Sequence, residues 1–246
     1  MRIAAIVNPF AGRHAAGKQW PVLVRSAGGV GDRIETFRSE YPGHSESIAA
    51  AVRRAGYDRV VAVGGDGTLF EVLNGLWREE RGRMPSVGMV PFGTGCDYIR
   101  NFQVRPGTAE RFRAAIAEPA VRVSLGKCRY RARGEMVQRV FAMVLGCWFG
   151  KGMKIAPGAS PSHRRFEFLL AAPVSPAGLL PLIFRAYLGL RGGGPGIMQL
   201  YAKSARLRFA TPVMLEADGE LLGQTDAVEI DVIRDAFSFA APGIRR

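Results

Sequence analysis

The sequence predicts two domains, an α/β domain built on a parallel sheet over residues 1–121 and a β-rich domain over residues 122–246. Three observations predict this. Residues 60–68, VVAVGGDGT, run from a β-branched apolar strand through a glycine turn towards a helix. Strands and helices alternate up to about residue 121, the pattern of a parallel sheet with right-handed crossovers. Beyond that point one strand pattern follows another. The last residues are left able to pack back on the first domain.

Arg2 to Val7 reads as the first strand and ends in the turn Asn8-Pro9-Phe10-Ala11-Gly12. Gly17 to Ala27 is a weak helix and Arg33 to Phe37 a second strand. Ser45 to Ala55 is a helix with Ser45 as N-cap and Gly56 closing it. After the Val60 to Val63 strand, Leu69, Val72, Leu73 and Leu76 recur at helical spacing over Leu69 to Trp77. Ser86 to Pro91 is a strand that runs into Phe92-Gly93-Thr94-Gly95-Cys96-Asp97, and Glu110 to Ala117 is helical. Asp97 can also cap a helix over Tyr98 to Phe102.

In the second half the expected strands are Val121 to Leu125, Lys127 to Arg133, Val137 to Cys147, Arg165 to Ala171, Ala205 to Phe209, Val213 to Ala217 and Ala227 to Val232. Ala177 to Leu190 is an apolar helix broken near Pro181. It carries Leu179, Leu180, Leu182, Ile183, Phe184, Tyr187, Leu188 and Leu190, with Arg185 and Arg191 nearby. It reads either as a membrane-interface helix or as a helix packed on the β-rich domain, and the packed form is the expectation. Gly192 to Gly196 is a connecting loop.

The three glycine turns, 8–12, 64–68 and 93–97, all fall at the carboxyl ends of strands, where a parallel sheet binds its ligands. Glycine lets a backbone approach a ligand closely, and a strand, turn and helix aim N–H groups at a phosphate. An acidic residue inside such a cradle calls for a cation, so Asp66 points to Mg²⁺ and a nucleoside triphosphate.

Composition narrows the classes. The net charge of +13 favours anionic partners such as a nucleotide or an acidic membrane, although an arginine-rich composition accounts for it equally. No nucleic-acid-binding motif is present, so no nucleic-acid partner is expected. The three cysteines form no CxxC pair, residues 3–7 are too short for a signal peptide, and no run of about 18 apolar residues is free of charge and proline. The expectation is a cytoplasmic protein, peripheral at the inner membrane face where its basic surface meets anionic lipid.

The ordered set Asn8-Pro9-x-x-Gly12, Gly64-Gly65-Asp66-Gly67-Thr68-Leu69-x-Glu71-x-x-Asn74-Gly75 and Pro91-x-Gly93-Thr94-x-x-Asp97 resembles the diacylglycerol kinase catalytic-domain family, especially its soluble bacterial lipid kinases. Tyr41-Pro42-Gly43-His44, residues 152–159 and Asp218-Gly219-Glu220 are also similar to that family. GGDGT alone occurs in NAD kinases too, which share the fold. The resemblance implies a Rossmann-like parallel sheet in the α/β domain, an all-β sandwich after it, and ATP and acceptor in the cleft between them. It implies a lipid kinase that moves the ATP γ-phosphoryl group to a lipid hydroxyl such as that of diacylglycerol. A kinase for a sphingoid base, an isoprenoid-type alcohol or NAD, or a non-catalytic nucleotide- or lipid-binding relative, remains an alternative. A homodimer stays open.

The resemblance also assigns roles. Gly64, Gly65, Asp66, Gly67 and Thr68 wrap the phosphates, while Asn8, Pro9 and Gly12 form a second wall. Thr94 bonds a phosphate or ribose, Ser39 stands where the family carries a nucleotide-contacting threonine, Asp66 and Asp97 serve Mg²⁺, and Glu220 is the general base. The chain departs from the pattern at His163, in place of a metal-holding aspartate, and at the arginines after it. Met143 and Trp148 stand where the family has asparagine and glycine, and Phe70 and Cys96 where it has asparagines.

Overall fold

The structure is a computed structural model that describes residues 1–93, 95–117, 119–132, 134–142, 145–150, 152–171, 175–190 and 197–245. Thr94, Met143, Arg191 and the 192–196 loop lie outside the described residues. The first half alternates β1 (Ile3–Val7), α1 (Ala15–Ser26), β2 (Ile34–Arg38), α2 (His44–Arg54), β3 (Arg59–Gly64), α3 (Asp66–Arg78), β4 (Ser86–Pro91) and α4 (Thr108–Ala117). Strands β2, β1, β3 and β4 lie in that order and pair in parallel.

Strands β1, β3 and β4 are buried and mostly apolar because helices cover both faces of their sheet, whereas the edge strand β2 stays partly exposed. Successive side chains alternate between two cores. Ile3, Ala5, Val7, Val61 and Val63 pack with Trp20 and Leu23 of α1 and with Phe112 and Ile116 of α4. Ala4, Ile6, Val60 and Ala62 pack with Val52 of α2 and with Val72, Leu73 and Leu76 of α3.

The second half comprises β5 (Ala120–Ala132), β6 (Glu135–Phe141), β7 (Trp148–Phe149), β8 (Met153–Lys154), β9 (Phe166–Ala171), α5 (Pro176–Tyr187), β10 (Ile197–Ala202), β11 (Ser204–Ala217) and β12 (Glu220–Ala240). The first sheet continues through β4 into β12, β5 and β6, with β11 paired to β12. The expected division at residue 121 therefore falls inside β5. At its far end β12 lies beside the first four strands: Phe239 pairs in parallel with Val87 of β4. The sandwich core joins Phe141 to Phe166 of the β9–β10 hairpin, their rings 6.3 Å apart, above Cys128, Tyr130 and Val228. No helix among the described residues is long and apolar enough to cross a membrane.

Several expected boundaries are corrected. The two strands expected on either side of Gly126 are one, β5. The Phe141 ring lies where a Gly126 side chain would stand, 1.9 Å from the Cβ position, so the glycine leaves room rather than ending the strand. β11 likewise runs through Pro212 with a register shift between Arg208 and Val213, and β12 extends to 21 residues across Gly223 and Asp235. β10 was not among the expected strands. The strand expected over 137–147 ends at Phe141.

Helix α3 begins at Asp66, so most of the glycine turn is its first turn. Ser45 is not the cap of α2. Gly43, at φ +85°, precedes that helix, and the Glu71 carboxylate of α3 accepts from Gly43 N (2.9 Å) and Ser45 N (3.1 Å) in place of a local cap. Asp97 makes no capping bond to the short 3₁₀ turn Tyr98–Asn101. Pro181 does not break α5, which the Ser175 side chain caps at Gly178 N, 3.2 Å. That helix is also not packed on the sandwich along its apolar stripe: Leu180, Phe184, Tyr187 and Leu188 are all more than half exposed.

Helices α2 and α3 touch backbone to backbone at Gly75, where a methyl group would stand 2.0 Å from Glu46 O. Gly75→Ala is expected to force the helices apart at a cost of about 1–3 kcal/mol, lowering Tm by roughly 2–4 °C per kcal/mol at this chain length. Thermal unfolding followed by circular dichroism checks this, beside Gly158→Ala, where a methyl group meets nothing within 4 Å and Tm should hold.

Candidate nucleotide and acceptor site

The three glycine turns meet at the carboxyl ends of β1, β3 and β4, and backbone contacts lock them together. Asn8 N donates to Val63 O (3.0 Å) and Phe92 N to Gly64 O (2.8 Å). Gly12 sits at φ +61° with its Cβ position 2.2 Å from Phe92 O, and the Cβ position of Gly93 is 2.7 Å from Gly65 Cα. Neither place admits a side chain, and at Gly12 the torsion requires glycine as well. Asn8 Nδ2 reaches Thr68 Oγ1 at 3.4 Å, and the same hydroxyl lies 2.3 Å from where a Gly64 Cβ would be.

Asp66, Gly67 and Thr68 form the first turn of α3, so their N–H groups have no intrahelical acceptor and are helix-start donors. Pro9 packs over Gly17 of α1, 3.2 Å from its Cβ position to Pro9 Cβ. Ser39, at the end of β2, is buried, and its hydroxyl donates to Val7 O at 3.5 Å instead of pointing into the crevice.

Asp66 is held by the third turn. Its Oδ2 accepts from Asp97 N (2.9 Å) and its Oδ1 from Tyr98 N (3.3 Å). Burial pushes this carboxyl above its ordinary range, the two N–H groups pull it back, and the Asp97 charge adds to the rise. Asp97 is itself buried, with its Oδ1 3.1 Å from Arg100 Nε. Among the described residues no group of three or more His, Cys, Asp or Glu gathers as a metal site. The residues do fit a hard cation that shares its ligands with phosphate and water: Asp66 keeps a lone pair on each oxygen after its two N–H bonds, beside a second carboxylate. Cys96 donates to Gly93 O at 3.2 Å, and burial with the nearby Asp66 charge pushes its thiol up to about 12, so it is no nucleophile.

The far wall is the tight turn between β11 and β12, where Asp218 (φ +54°) and Gly219 (φ +84°) reverse the chain. It brings Glu220 across the crevice: a methyl group at Gly67 would stand 2.4 Å from Glu220 Oε1. Partial burial pushes the Glu220 carboxyl up, and the charges of Glu71 and Glu216 push it further. Asp218 is buried, and its Oδ2 accepts from Ala142 N at 2.7 Å, which pins the turn to the end of β6. Beside it lies a cavity of about 230 Å³ lined by Trp148, Ile155, Leu169, Glu167, Glu216 and Asp218. A second, apolar cavity of about 120 Å³ in the sandwich shares Glu167, Glu216 and Ala217 with it. Trp148 carries Lys154 Nζ at 4.7 Å and the Arg100 guanidinium at 5.8 Å from its ring.

A family model of the diacylglycerol kinase catalytic domain matches residues 2–128. The chain belongs to the diacylglycerol kinase catalytic-domain family. A second family model, the YegS C-terminal NAD kinase beta sandwich-like domain, matches residues 101–238. The chain is 30% identical over 181 residues to the diacylglycerol kinase of Staphylococcus saprophyticus, a match that covers 68% of this chain and 59% of that protein. It is 28% identical over 181 residues to the diacylglycerol kinase of Staphylococcus aureus, covering 57% of it. The chain thus spans less than two thirds of the relatives it matches. The crystal structure of a diacylglycerol kinase from Bacillus anthracis str. Sterne superposes with a TM-score of 0.75 at 18% identity, over 98% of this chain and 96% of that one. A likeness at that identity shows the fold: a mixed parallel α/β domain followed by a β-sandwich-like domain.

Three family-motif residues prove to have structural work that spacing alone did not reveal. Glu71 caps α2. Asn74 is buried and bridges the α3 backbone and β6 by donating to Phe70 O and Val140 O and accepting from Val140 N, each at 2.9 Å. Asp218 anchors the Glu220 turn. The quoted motifs contained all three, but their partners lie 26 to 76 residues away. Glu71→Ala should leave the Gly43 and Ser45 donors without acceptors and lower stability by about 1–3 kcal/mol. Urea unfolding checks this, and Glu71→Gln, which keeps an acceptor oxygen, should recover part of the loss.

Proposed function

We propose that the protein transfers the γ-phosphoryl group of ATP to the hydroxyl of a lipid, with diacylglycerol as the first candidate. The observation that carries this reading is the Glu220 carboxylate standing over Gly67, a base from one domain against the helix-start N–H donors of the other. The family membership and the names of the relatives support the same reaction class.

The donors of Asp66, Gly67 and Thr68 hold the phosphates, and the Asn8–Thr68 contact fixes the wall beside them. Asp66 would hold Mg²⁺, which when bound neutralises phosphate charge. Glu220 accepts the hydroxyl proton as the lipid oxygen bonds to the γ-phosphorus and the bond to the ADP oxygen breaks. The apolar walls of the two joined cavities suit the hydrocarbon of the acceptor. A second reading, an amino-alcohol acceptor such as a sphingoid base, is favoured by one observation: Glu167, Glu216 and Asp218 line the larger cavity and would attract an ammonium group.

Labelled-ATP turnover with diacylglycerol, a sphingoid base, an isoprenoid alcohol and NAD separates these. Diacylglycerol should stimulate most. Stimulation by the sphingoid base alone would shift the reading to the second acceptor, and no turnover with any acceptor would leave a nucleotide-binding relative. Glu220→Gln should lower acceptor-dependent turnover about 10²–10⁴-fold while nucleotide affinity holds.

The pH dependence has a defined sign. The base works ionised, and its carboxyl lies above the ordinary 4.5, so turnover should fall as pH drops through that raised value. Because ionising Glu220 costs the folded state more than the unfolded one, stability is lost as pH rises from 4.5 through the raised value. Glu220→Gln should therefore show a higher Tm than the wild type at pH 7, with the gap closing below about pH 4.5.

A further inference from the structure

Asn101 ends the 3₁₀ turn that follows Asp97, and its side chain is buried. A buried amide needs partners for both its nitrogen and its oxygen. Here both ends are engaged. Nδ2 donates to Tyr98 O at 2.9 Å and to Asp97 O at 3.4 Å. Oδ1 accepts from Cys147 N at 3.1 Å, and the Cys147 thiol donates to it at 3.5 Å. Only one orientation of the amide fits these partners, nitrogen towards the carbonyls and oxygen towards the N–H. The side chain therefore joins two segments 46 residues apart. Gly146 makes the approach possible: a methyl group there would lie 2.7 Å from Asn101 Nδ2.

The bonds run in one direction. The peptide group between Asp97 and Tyr98 receives Asn101 Nδ2 on its carbonyl and gives its N–H to Asp66 Oδ1 at 3.3 Å. The Cys147 N–H, the Asn101 amide and that peptide group thus donate in series and end on the Asp66 carboxylate. Amides in such a chain polarise one another, and the charge at its end strengthens every bond. Asp66, the last link, stands in the nucleotide crevice. Cys147, the first link, lines the larger cavity together with Gly146 and Trp148. The far side of the turn is fixed: Arg245 N donates to Asn101 O and Arg245 Nε to Phe102 O, each at 2.8 Å. Gln103 N donates to Gly243 O at 2.9 Å. A turn held on that side passes a displacement on instead of absorbing it.

We infer that Asn101 is a positioning residue that links occupancy of Asp66 to the cavity wall at Cys147 and Trp148. Asp66 gives up part of its charge when it holds a cation, so it pulls less on the peptide between Asp97 and Tyr98. Through Asn101 it then pulls less on Cys147 N, and the wall shifts. The inference rests on the reading of the crevice as a nucleotide site and of the cavity as the acceptor's. It adds an order to that reading: the phosphoryl donor, once bound, sets the shape of the acceptor cavity. A rival connection runs beside Asn101, since Arg100 pairs with Asp97 Oδ1 and holds its guanidinium 5.8 Å from the Trp148 ring. The two are separable, because Asn101 makes its bonds without Arg100.

Fluorotryptophan labelling of the full chain tests the inference. The three tryptophans, Trp20, Trp77 and Trp148, each give a fluorine resonance, and Trp148→Phe identifies the one that matters. Mg²⁺ with a non-hydrolysable ATP analogue, and no acceptor, should move the Trp148 resonance of the wild type. Asn101→Leu removes the amide altogether. Asn101→Ser keeps a hydroxyl that bonds a carbonyl within its own turn but is too short to reach Cys147, so it reads the link where the leucine variant does not fold. Both variants should bind the analogue within about threefold of the wild type by equilibrium dialysis and lose the Trp148 shift. A shift that persists in the serine variant leaves Arg100 as the connection and overturns the inference. Analogue binding without a Trp148 shift in the wild type overturns it too, and leaves the kinase reading standing. A Trp148 shift without turnover on any acceptor supports the inference and removes the kinase reading.

Discussion

The rest of the structure depends on the continuity of β12. This strand begins at Glu220, pairs with β11 and β5 through the sandwich, and ends beside β4 in the parallel sheet. Backbone hydrogen bonds between strands are directional and unforgiving of displacement, so a strand shared by both domains fixes one against the other more firmly than a linker could. The bulge between Ile233 and Phe237, with Asp235 at φ +48°, gives the strand the bend it needs to serve both. Glu220 can stand over Gly67 because the strand that carries it is anchored at its other end to the sheet that carries Gly67. Asp218, bonded to Ala142 N, closes the near end of the same frame.

The charge pattern inside that frame runs opposite to that of the surface. The chain is strongly basic, yet the crevice gathers Asp66, Glu71, Glu216 and Glu220. Glu71 is engaged by two backbone donors and Asp97 by Arg100, so their charges are partly compensated. Asp66 and Glu220 rise first because burial disfavours their charged forms, and neighbouring carboxylates add to it. A polyanion entering such a crevice needs compensation from backbone N–H groups and from a cation held with it. The same features that make the empty crevice electrostatically costly would make it selective for a nucleotide that carries its counter-ion.

What the sequence revealed, and what it hid, follows from how far apart the interacting residues lie. Val60 to Val63 was legible as a buried strand because helices on both faces demand an unbroken apolar run. The phosphate turn was legible because its parts, Gly64 to Thr68, are contiguous and their requirement for glycine is local. The start of α3 at Asp66 was hidden, since glycine is a poor helix residue and the use of Gly67 in the first turn is explained only by Glu220, whose Oε1 stands 2.4 Å from the Gly67 Cβ position. Ser45 looked like a cap by local rules, but a carboxylate 26 residues away does the capping. Gly126 looked like a break until the Phe141 ring was seen to occupy its empty side. In each case a tertiary contact outweighed a local preference of about 1 kcal/mol.

The same reasoning explains why the phosphoryl donor is easier to read from this chain than the acceptor. A phosphate is bound mainly by backbone N–H groups, and backbone geometry is written in short glycine patterns. An acceptor is bound by side chains, and the cavity proposed for it draws Trp148, Ile155, Leu169 and Glu216 from four separate segments with no common spacing. Each of these positions can change without altering the fold, because none supplies a sheet hydrogen bond through its side chain. Trp148 illustrates the freedom: a large ring stands where the family pattern has a small residue, and Arg100 and Lys154 have settled against it. The donor crevice is fixed by the backbone that makes the sheet, whereas the cavity beside Asp218 is open to variation in shape and charge. On the proposed reading, acceptor choice would therefore be set by side chains that the fold itself does not constrain.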